Sequence, residues 1–346
     1  MQTVLRVLDS DIRRLRAELE LYSILVEALE NLYKDDSTAL REYGSRARRI
    51  TYSNAIVGCY GLIEQTVDSI LLNVAESYSK LYATYGDLPE TVKSNQRELI
   101  LQCLRDGDRA RVRGKVSERL AISALAKESG DSPDIVSEVF TLSTANYRLP
   151  YVKMLFSRLG IEIESGLSKN EPIDSFNKAG YATYESFLED FIKRRNDLAH
   201  SYGDDDIVDP DLLGAYVEIV DAYLNSVVRV ANLAVIKLLA RLKLVCIGTV
   251  VKNWTGRIGF EMNAGKIAVG DRLLVVKDDW CTSHIIESLQ SNSEDLHHVT
   301  YDGSVIEVSA KVAVSPQSSE NAKVYVLPGD WSDFWPSNQQ WVAAAE

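Results

Sequence analysis

The apolar residues Val4, Leu5, Val7, Leu8, Ile12, Leu15, Leu19, Tyr22 and Val26 recur every three to four positions, which predicts an amphipathic helix from Thr3 to about Leu32. Asp36 and Ser37 then supply a helix-start signal. The run Tyr52, Ile56, Val57, Cys59, Tyr60, Ile63, Val67, Ile70 and Leu71 carries a second helix toward Tyr82, with Glu64 set among its apolar positions. Between Leu88 and Leu159 several shorter helices are expected, punctuated by Gly107, Gly114, Gly130, Pro133 and Pro150. The polar stretch from Glu162 to Lys178 reads as a loop. After it, Phe187, Leu188, Phe191 and Ile192 give a helical period from Tyr184 to Ala199. Asp209 followed by Pro210 suits a cap and a first helical position, opening a very long helix to about Lys243.

Past Leu244 the period changes. Short runs rich in β-branched residues, Leu244 to Val251, Arg272 to Val276, Ser304 to Val314 and Lys323 to Leu327, alternate with Gly and Asp and predict strands. The fold class is therefore multidomain, α then β. A large all-α bundle over residues 1–243 precedes a small all-β barrel over residues 244–328 and a tail, 329–346, with Trp331, Phe334, Trp335 and Trp341. The run from Gly265 through Lys266, Ile267, Ala268, Val269, Gly270 and Asp271 to Val275, with Asp302-Gly303-Ser304-Val305 later, resembles the β-barrel that forms the second domain of translation elongation factors. The aromatic tail is expected to dock on the protein or on a partner.

Composition limits the functions open to such a chain. With 346 residues and 46% hydrophobic content there is enough apolar surface for two cores. The net charge of -12 argues against a whole-surface attraction to nucleic acid, so any RNA contact has to be local. The four cysteines, Cys59, Cys103, Cys246 and Cys281, form no CxxC pair, which suits a reducing compartment and predicts neither zinc nor a disulfide framework. His297 and His298 are adjacent, and neighbours on a strand face opposite ways, so no metal site is expected there. The first residues lack the apolar core of a signal peptide, and Asp221, Arg229, Lys237, Arg241 and Lys243 interrupt the most apolar stretch. A cytoplasmic protein with no membrane span and no cofactor is expected. Walker, nucleophile-elbow and dinucleotide fingerprints do not occur.

One segment combines residue types suited to phosphodiester chemistry. Phe191-Ile192-Lys193-Arg194-Arg195-Asn196-Asp197-Leu198-Ala199-His200 ends on the lone histidine of the helical part. Imidazole titrates near neutral pH and passes protons, while guanidinium offers fixed, planar donors to a phosphate. Cleaving RNA without a metal requires a base for the 2′-hydroxyl proton, an acid for the leaving 5′-oxygen and a cation for the charged intermediate. His200 is assigned to proton transfer, as base or acid, Arg195 to charge stabilisation, and Asn196 to positioning the imidazole or the substrate. Asn196 and His200, four apart, share a helical face, whereas Arg195 and His200, five apart, stand roughly 140° around an ideal helix. Either the helix ends near His200 or two copies of the chain bring their motifs together.

Arg195-Asn196-Asp197-Leu198-Ala199-His200 matches the Arg-x4-6-His signature of HEPN domains. The earlier segment from Ser53 through Tyr60 to Glu64, and the long helix after the motif, also resemble the bacterial RiboL-PSP or MAE-like HEPN group. The resemblance implies a HEPN-like helical bundle that dimerises and acts as a metal-independent endoribonuclease in toxin, phage-defence or stress-response systems. It further implies a 2′,3′-cyclic phosphate product and an antagonist such as an antitoxin or other regulatory protein. Arg195, His200 and Asn196 carry over as site residues, and Glu64 corresponds to an acidic residue that often faces the motif.

Around this centre stand supporting residues, each with a structural alternative. Glu64 serves the site or pairs with a buried arginine. Asp197 lies within the motif, and Tyr202, next to it, stacks a base, hydrogen-bonds a phosphate or simply packs. Lys193 and Arg194 guide RNA or form a solvated helix end. Arg109, Arg111 and Arg113 lie in the most basic run, which meets a phosphate backbone or forms a solvated face beside Asp106 and Asp108. RNA, not DNA, is the expected substrate. A catalytically silent dimeric scaffold that binds protein or RNA is the competing reading.

Overall fold

The computed structural model describes residues 1–32, 37–106, 116–126, 133–167, 171–200, 208–278, 280–313 and 320–328. Arg109, Arg111, Arg113, Tyr202, the tail 329–346 and the side chain of His200 lie outside the described residues. Nine α-helices are assigned among the described residues: α1 Gln2–Leu32, α2 Ser37–Leu81, α3 Glu90–Asp106, α4 Glu118–Ala126, α5 Leu149–Ser157, α6 Glu164–Leu167, α7 Ile173–Ala179, α8 Tyr184–His200 and α9 Pro210–Leu242. Nine strands follow. The helical-then-β order read from the periodicity is the observed one.

The chain divides into two compact units. One comprises Thr3–Glu76 and Thr84–Val228; the other comprises Met1–Gln2, Ser77–Ala83 and Arg229–Glu346. In the first unit the predicted apolar stripe of α1 is the buried one, with Leu8 and Ile12 2% exposed. α2 is the central helix: Ile63, Val67, Ile70 and Leu71 are wholly buried, so it shows little one-sidedness and packs on several sides. α8 contributes Phe187, Leu188, Phe191 and Ile192, all wholly buried. Phe187 stacks on Phe191 at 5.3 Å between centroids and meets Tyr216 of α9 edge-on at 5.4 Å. These rings fix the rotation of α8 and so decide which of its residues face α2. Asp209 caps α9 as expected, its Oδ1 accepting from the Leu212 N–H at 2.8 Å.

The stretch from Glu162 to Lys178, expected as a loop, contains α6 and α7. Its polar surface hid a sparse anchor set: Ile163, Leu167 and Phe176 are buried. Gly180 closes α7 in the left-handed region at φ 76, where a side chain is strained.

Two helices, spanning Glu42–Leu81 and Pro210–Leu242, are long and apolar enough to cross a membrane by length and composition, despite the interrupting charges. Buried shares of 56% and 61% for their apolar windows match helices that form a protein core.

The strands are β1 Cys246–Trp254, β2 Arg257–Met262, β3 Lys266–Ala268, β4 Arg272–Val276, β5 Cys281–Ser291, β6 Glu294–Leu296, β7 His298–Thr300, β8 Ile306–Val312 and β9 Lys323–Leu327. Six of them close a ring in the order β4-β9-β1-β2-β8-β5, with β5 pairing back onto β4. Every pairing is antiparallel. Closure removes the open edges that a flat sheet would leave. Ile258, Phe260, Met262, Leu273, Leu289 and Val308 fill the inside. β2, β3, β5, β6 and β7 were not expected as strands; in β2 and β5 the inward residues alternate with Gly259, Glu261, Glu287 and Gln290, which weakens the apolar run read from sequence.

Candidate functional site

α2 and α8 meet where the motif begins. The guanidinium carbon of Arg195 sits over the Tyr60 ring, 4.5 Å from its centroid. Its Nη1 also donates to Asn196 Oδ1 at 3.1 Å. Both Arg195 and Asn196 are half-buried. The arginine is thus held on one side by an aromatic face and on the other by a neutral amide.

Tyr60 is itself fixed. Its hydroxyl accepts the Tyr147 backbone N–H at 3.4 Å and donates to Asn146 Oδ1 at 3.5 Å. Burial pushes the Tyr60 pKa up to about 12, and the negative charge of Glu64 one turn along α2 adds to the rise. Another turn along, Asp68 accepts a 2.5 Å bond from the Tyr147 hydroxyl. Burial and this bond drive the Tyr147 pKa upward too, so the phenol stays protonated. Tyr60, Glu64 and Asp68, spaced by four, therefore form one polar stripe on α2 opposite the motif helix.

A second thread anchors the other side of α8. Arg194 Nε donates to Asp190 Oδ2 at 2.7 Å, and the Asp190 carboxylate also accepts from Tyr181, whose hydroxyl lies 2.9 Å from that of Tyr216. Burial opposes the Arg194 charge, yet hydrogen bonds to Tyr52 and Asp190 outweigh it and raise its pKa. Arg194 is tied into the helix packing, while Lys193 and Asp197 are exposed.

An open groove of about 590 Å³ lies beside the Tyr60 thread, lined in part by Thr144, Asn146, Arg148, Tyr151 and Glu189. Arg148 Nη1 and Glu189 Oε1 form a 2.6 Å ion pair at its wall. Glu189, Lys193, Asn196 and His200 follow one another at intervals of four, three and four, so these positions share one stripe of α8. The helix spans Tyr184–His200, so the positions of Arg195 and His200, its last residue, stand roughly 140° apart around one element.

Asn196 accepts a hydrogen bond from Arg195, and Glu64 acts on Tyr60, the residue whose ring Arg195 covers. Sequence reasoning missed Asp68, Asn146 and Tyr147, and assigned Tyr60 no part of its own. The four-residue ladder from Tyr60 to Asp68 was a visible signal; the segment carrying Asn146 and Tyr147 had none, because its placement depends on tertiary packing. No cluster of three His, Cys, Asp or Glu suited to a metal occurs among the described residues.

No curated protein matches the chain. Among solved structures it is similar to the C-terminal domain of a putative U32 peptidase from Geobacillus thermoleovorans (selenomethionine variant), at 14% identity over 23% of this chain and 98% of that one, with a TM-score of 0.21. The RiboL-PSP-HEPN family model matches residues 18–232, which spans both the Tyr60 stripe and the motif helix; the chain belongs to that HEPN family.

Proposed function

We propose that the protein is a metal-independent endoribonuclease of the HEPN type, a toxin, phage-defence or stress-response effector working in the cytoplasm on RNA. The observation that carries this reading is Arg195, held beside a neutral amide and over a tyrosine face, on the helix that ends at His200. A guanidinium so placed is suited to a phosphorane charge, and His200 moves the proton of the attacking 2′-hydroxyl or the leaving 5′-oxygen. Attack of the 2′-oxygen on phosphorus breaks the bond to the 5′-oxygen and leaves a 2′,3′-cyclic phosphate. Asn196 orients the imidazole or substrate, and Glu64 supports the arginine side through Tyr60. The β domain serves partner or RNA recognition, and an antitoxin or other regulatory protein restrains the enzyme.

A homodimer fits this reading. Because Arg195 and His200, the last residue of α8, stand five positions apart on one helix, Arg195 of one copy and His200 of a second complete a composite site more readily than one helix does. Exposed Leu21, Ile24 and Leu25 near the end of α1, and Ile50 and Val57 on α2, supply apolar surface for such a pairing.

The test is incubation of purified protein with mixed RNA in EDTA, with Arg195→Ala and His200→Ala alongside and the product ends analysed. Cyclic phosphates from the parent alone, with both variants slower by about 100-fold or more, support the proposal. Equal cleavage by all three sinks it. The second reading, a catalytically silent scaffold, is favoured by the occupation of the Arg195 guanidinium by Tyr60 and Asn196; large losses of folding in the two variants, with no cleavage by the parent, would select it.

A further inference from the structure

The barrel carries an aromatic and basic surface apart from the helical site. Outside the bulge between Val250 and Lys252, the outward rows of β1, β2, β8 and β5 align across four strands. One row runs Trp254, Arg257 and Lys311; the next runs Lys252, Gly259, Ser309 and Gln290. Gly259 belongs to the outward set of β2, yet it is buried, because the Trp254 ring lies across it. A Cβ at Gly259 would stand 2.5 Å from the ring, so only glycine lets the indole lie on the backbone.

The indole nevertheless remains 48% exposed. Lys252 Nζ stands 5.6 Å from its centroid. Arg257 Nη1 is braced by Gln290 Oε1 at 2.9 Å and Ser309 Oγ at 3.3 Å, neither of which neutralises its charge. Lys311 has one exposed partner, Glu287 at 3.1 Å, an ion pair of the weak, exchangeable kind. Lys252 therefore stands beside a half-exposed indole, with Arg257 across from Trp254 on β2 and Lys311 one strand further, on a protein whose net charge is -12. A hydrophobic partner would leave those cations unpaired and desolvated. Unpaired nucleotides satisfy both components, one base stacking on the indole while flanking phosphates meet the cations.

We infer that this face of the barrel binds single-stranded RNA, with Trp254 as the stacking surface and Lys252, Arg257 and Lys311 as phosphate contacts. The choice of RNA rests on the proposed ribonuclease function; the stacking and charge arguments do not. A duplex keeps its bases stacked on each other and has nothing to lay on Trp254. Covering Gly259 is the structural role that Trp254 fills in any case.

The experiment uses the full chain carrying Arg195→Ala, so that bound RNA is not consumed, and a fluorescein-labelled single-stranded 12-mer of mixed sequence read by anisotropy. In that background Trp254→Ala, Lys252→Glu and Lys311→Glu are each expected to weaken binding by about tenfold or more, with a shallower salt dependence for the two lysine variants. The lysine variants leave the barrel core untouched, so they decide the matter if Trp254→Ala unfolds. Binding within twofold of the parent in both lysine variants overturns the inference, as does equal affinity for duplex RNA or full displacement by poly-glutamate at matched charge. Loss of binding in the variants of a protein that never cleaves RNA would sink the ribonuclease reading and leave this surface standing; cleavage with undiminished binding does the reverse.

Discussion

The Arg195 guanidinium rests 4.5 Å above the ring of Tyr60, a residue contributed by a helix more than a hundred positions earlier in the chain. That contact makes the aromatic ring, and not its hydroxyl, the element that sets where the arginine charge lies. Tyr60→Phe keeps the ring and forfeits the bonds to Asn146 and Tyr147, whereas Tyr60→Leu removes the platform. RNA cleavage is expected to stay within about threefold of the parent for phenylalanine and to fall roughly tenfold for leucine, read at saturating substrate. Equal losses in both variants would mean that the hydroxyl, through its backbone partner, is what matters.

The bond between Tyr147 and Asp68 sits one step behind that platform. Replacing Asp68 with Ala removes the acceptor of a buried phenol, leaving it only Ser143, and loosens the segment holding Asn146 against Tyr60. A loss of about 1–3 kcal/mol in unfolding free energy is expected, measured by urea titration. Tyr147→Phe removes the phenol and leaves Asp68, which is only half-buried, and should cost less. If Asp68→Ala were neutral in stability, the polar stripe on α2 would have no architectural role.

Arg194 and Lys193, adjacent in sequence, are expected to separate in function. Arg194→Ala breaks the Asp190 pair and leaves the carboxylate facing Tyr181, lowering stability by about 1–3 kcal/mol. Lys193→Ala, at an exposed position, leaves the melting temperature unchanged and reduces the salt dependence of RNA affinity. Melting curves and anisotropy on the two variants check this; the opposite pattern would assign Arg194 to the substrate.

How much of this was legible follows from how local each signal is. The α1 stripe, the Asp209 cap and the strands Arg272–Val276 and Lys323–Leu327 depend on neighbours in sequence, and they sit where periodicity and turn chemistry put them. α7 was hidden because one phenylalanine, Phe176, anchors it, too few positions to set a period. β2 was hidden by Gly259, whose outward position only makes sense once Trp254 from the neighbouring strand β1 covers it. At the site, the four-residue relation of Glu64 to Tyr60 was readable from helix geometry, whereas the bond from Arg195 to Asn196 was not, Asn196 having been assigned to the imidazole or the substrate. Asn146 and Tyr147 reach the site by a tertiary crossing that no spacing rule encodes.

His284 gives the barrel a pH dependence of its own. It lies on β5 at 5% exposure, with Thr282 Oγ1 3.0 Å from its Nε2, and burial lowers its pKa to about 4. In the unfolded chain the imidazole titrates near its ordinary value of about 6.5. The folded-state pKa is depressed, so the unfolded state takes up a proton first as the pH falls. The stabilising difference is complete above about pH 6.5 and is lost progressively down to about pH 4, amounting to at most about 3 kcal/mol. Unfolding free energies measured between pH 7.5 and 4 should therefore decline more steeply in the parent than in His284→Gln, which keeps a hydrogen-bonding side chain and cannot titrate. Carboxylates contribute to both proteins alike at the acid end, so the diagnostic interval is pH 6.5 to 5. Parallel curves across that interval would mean that the imidazole reaches solvent and is protonated in the folded barrel as readily as outside it.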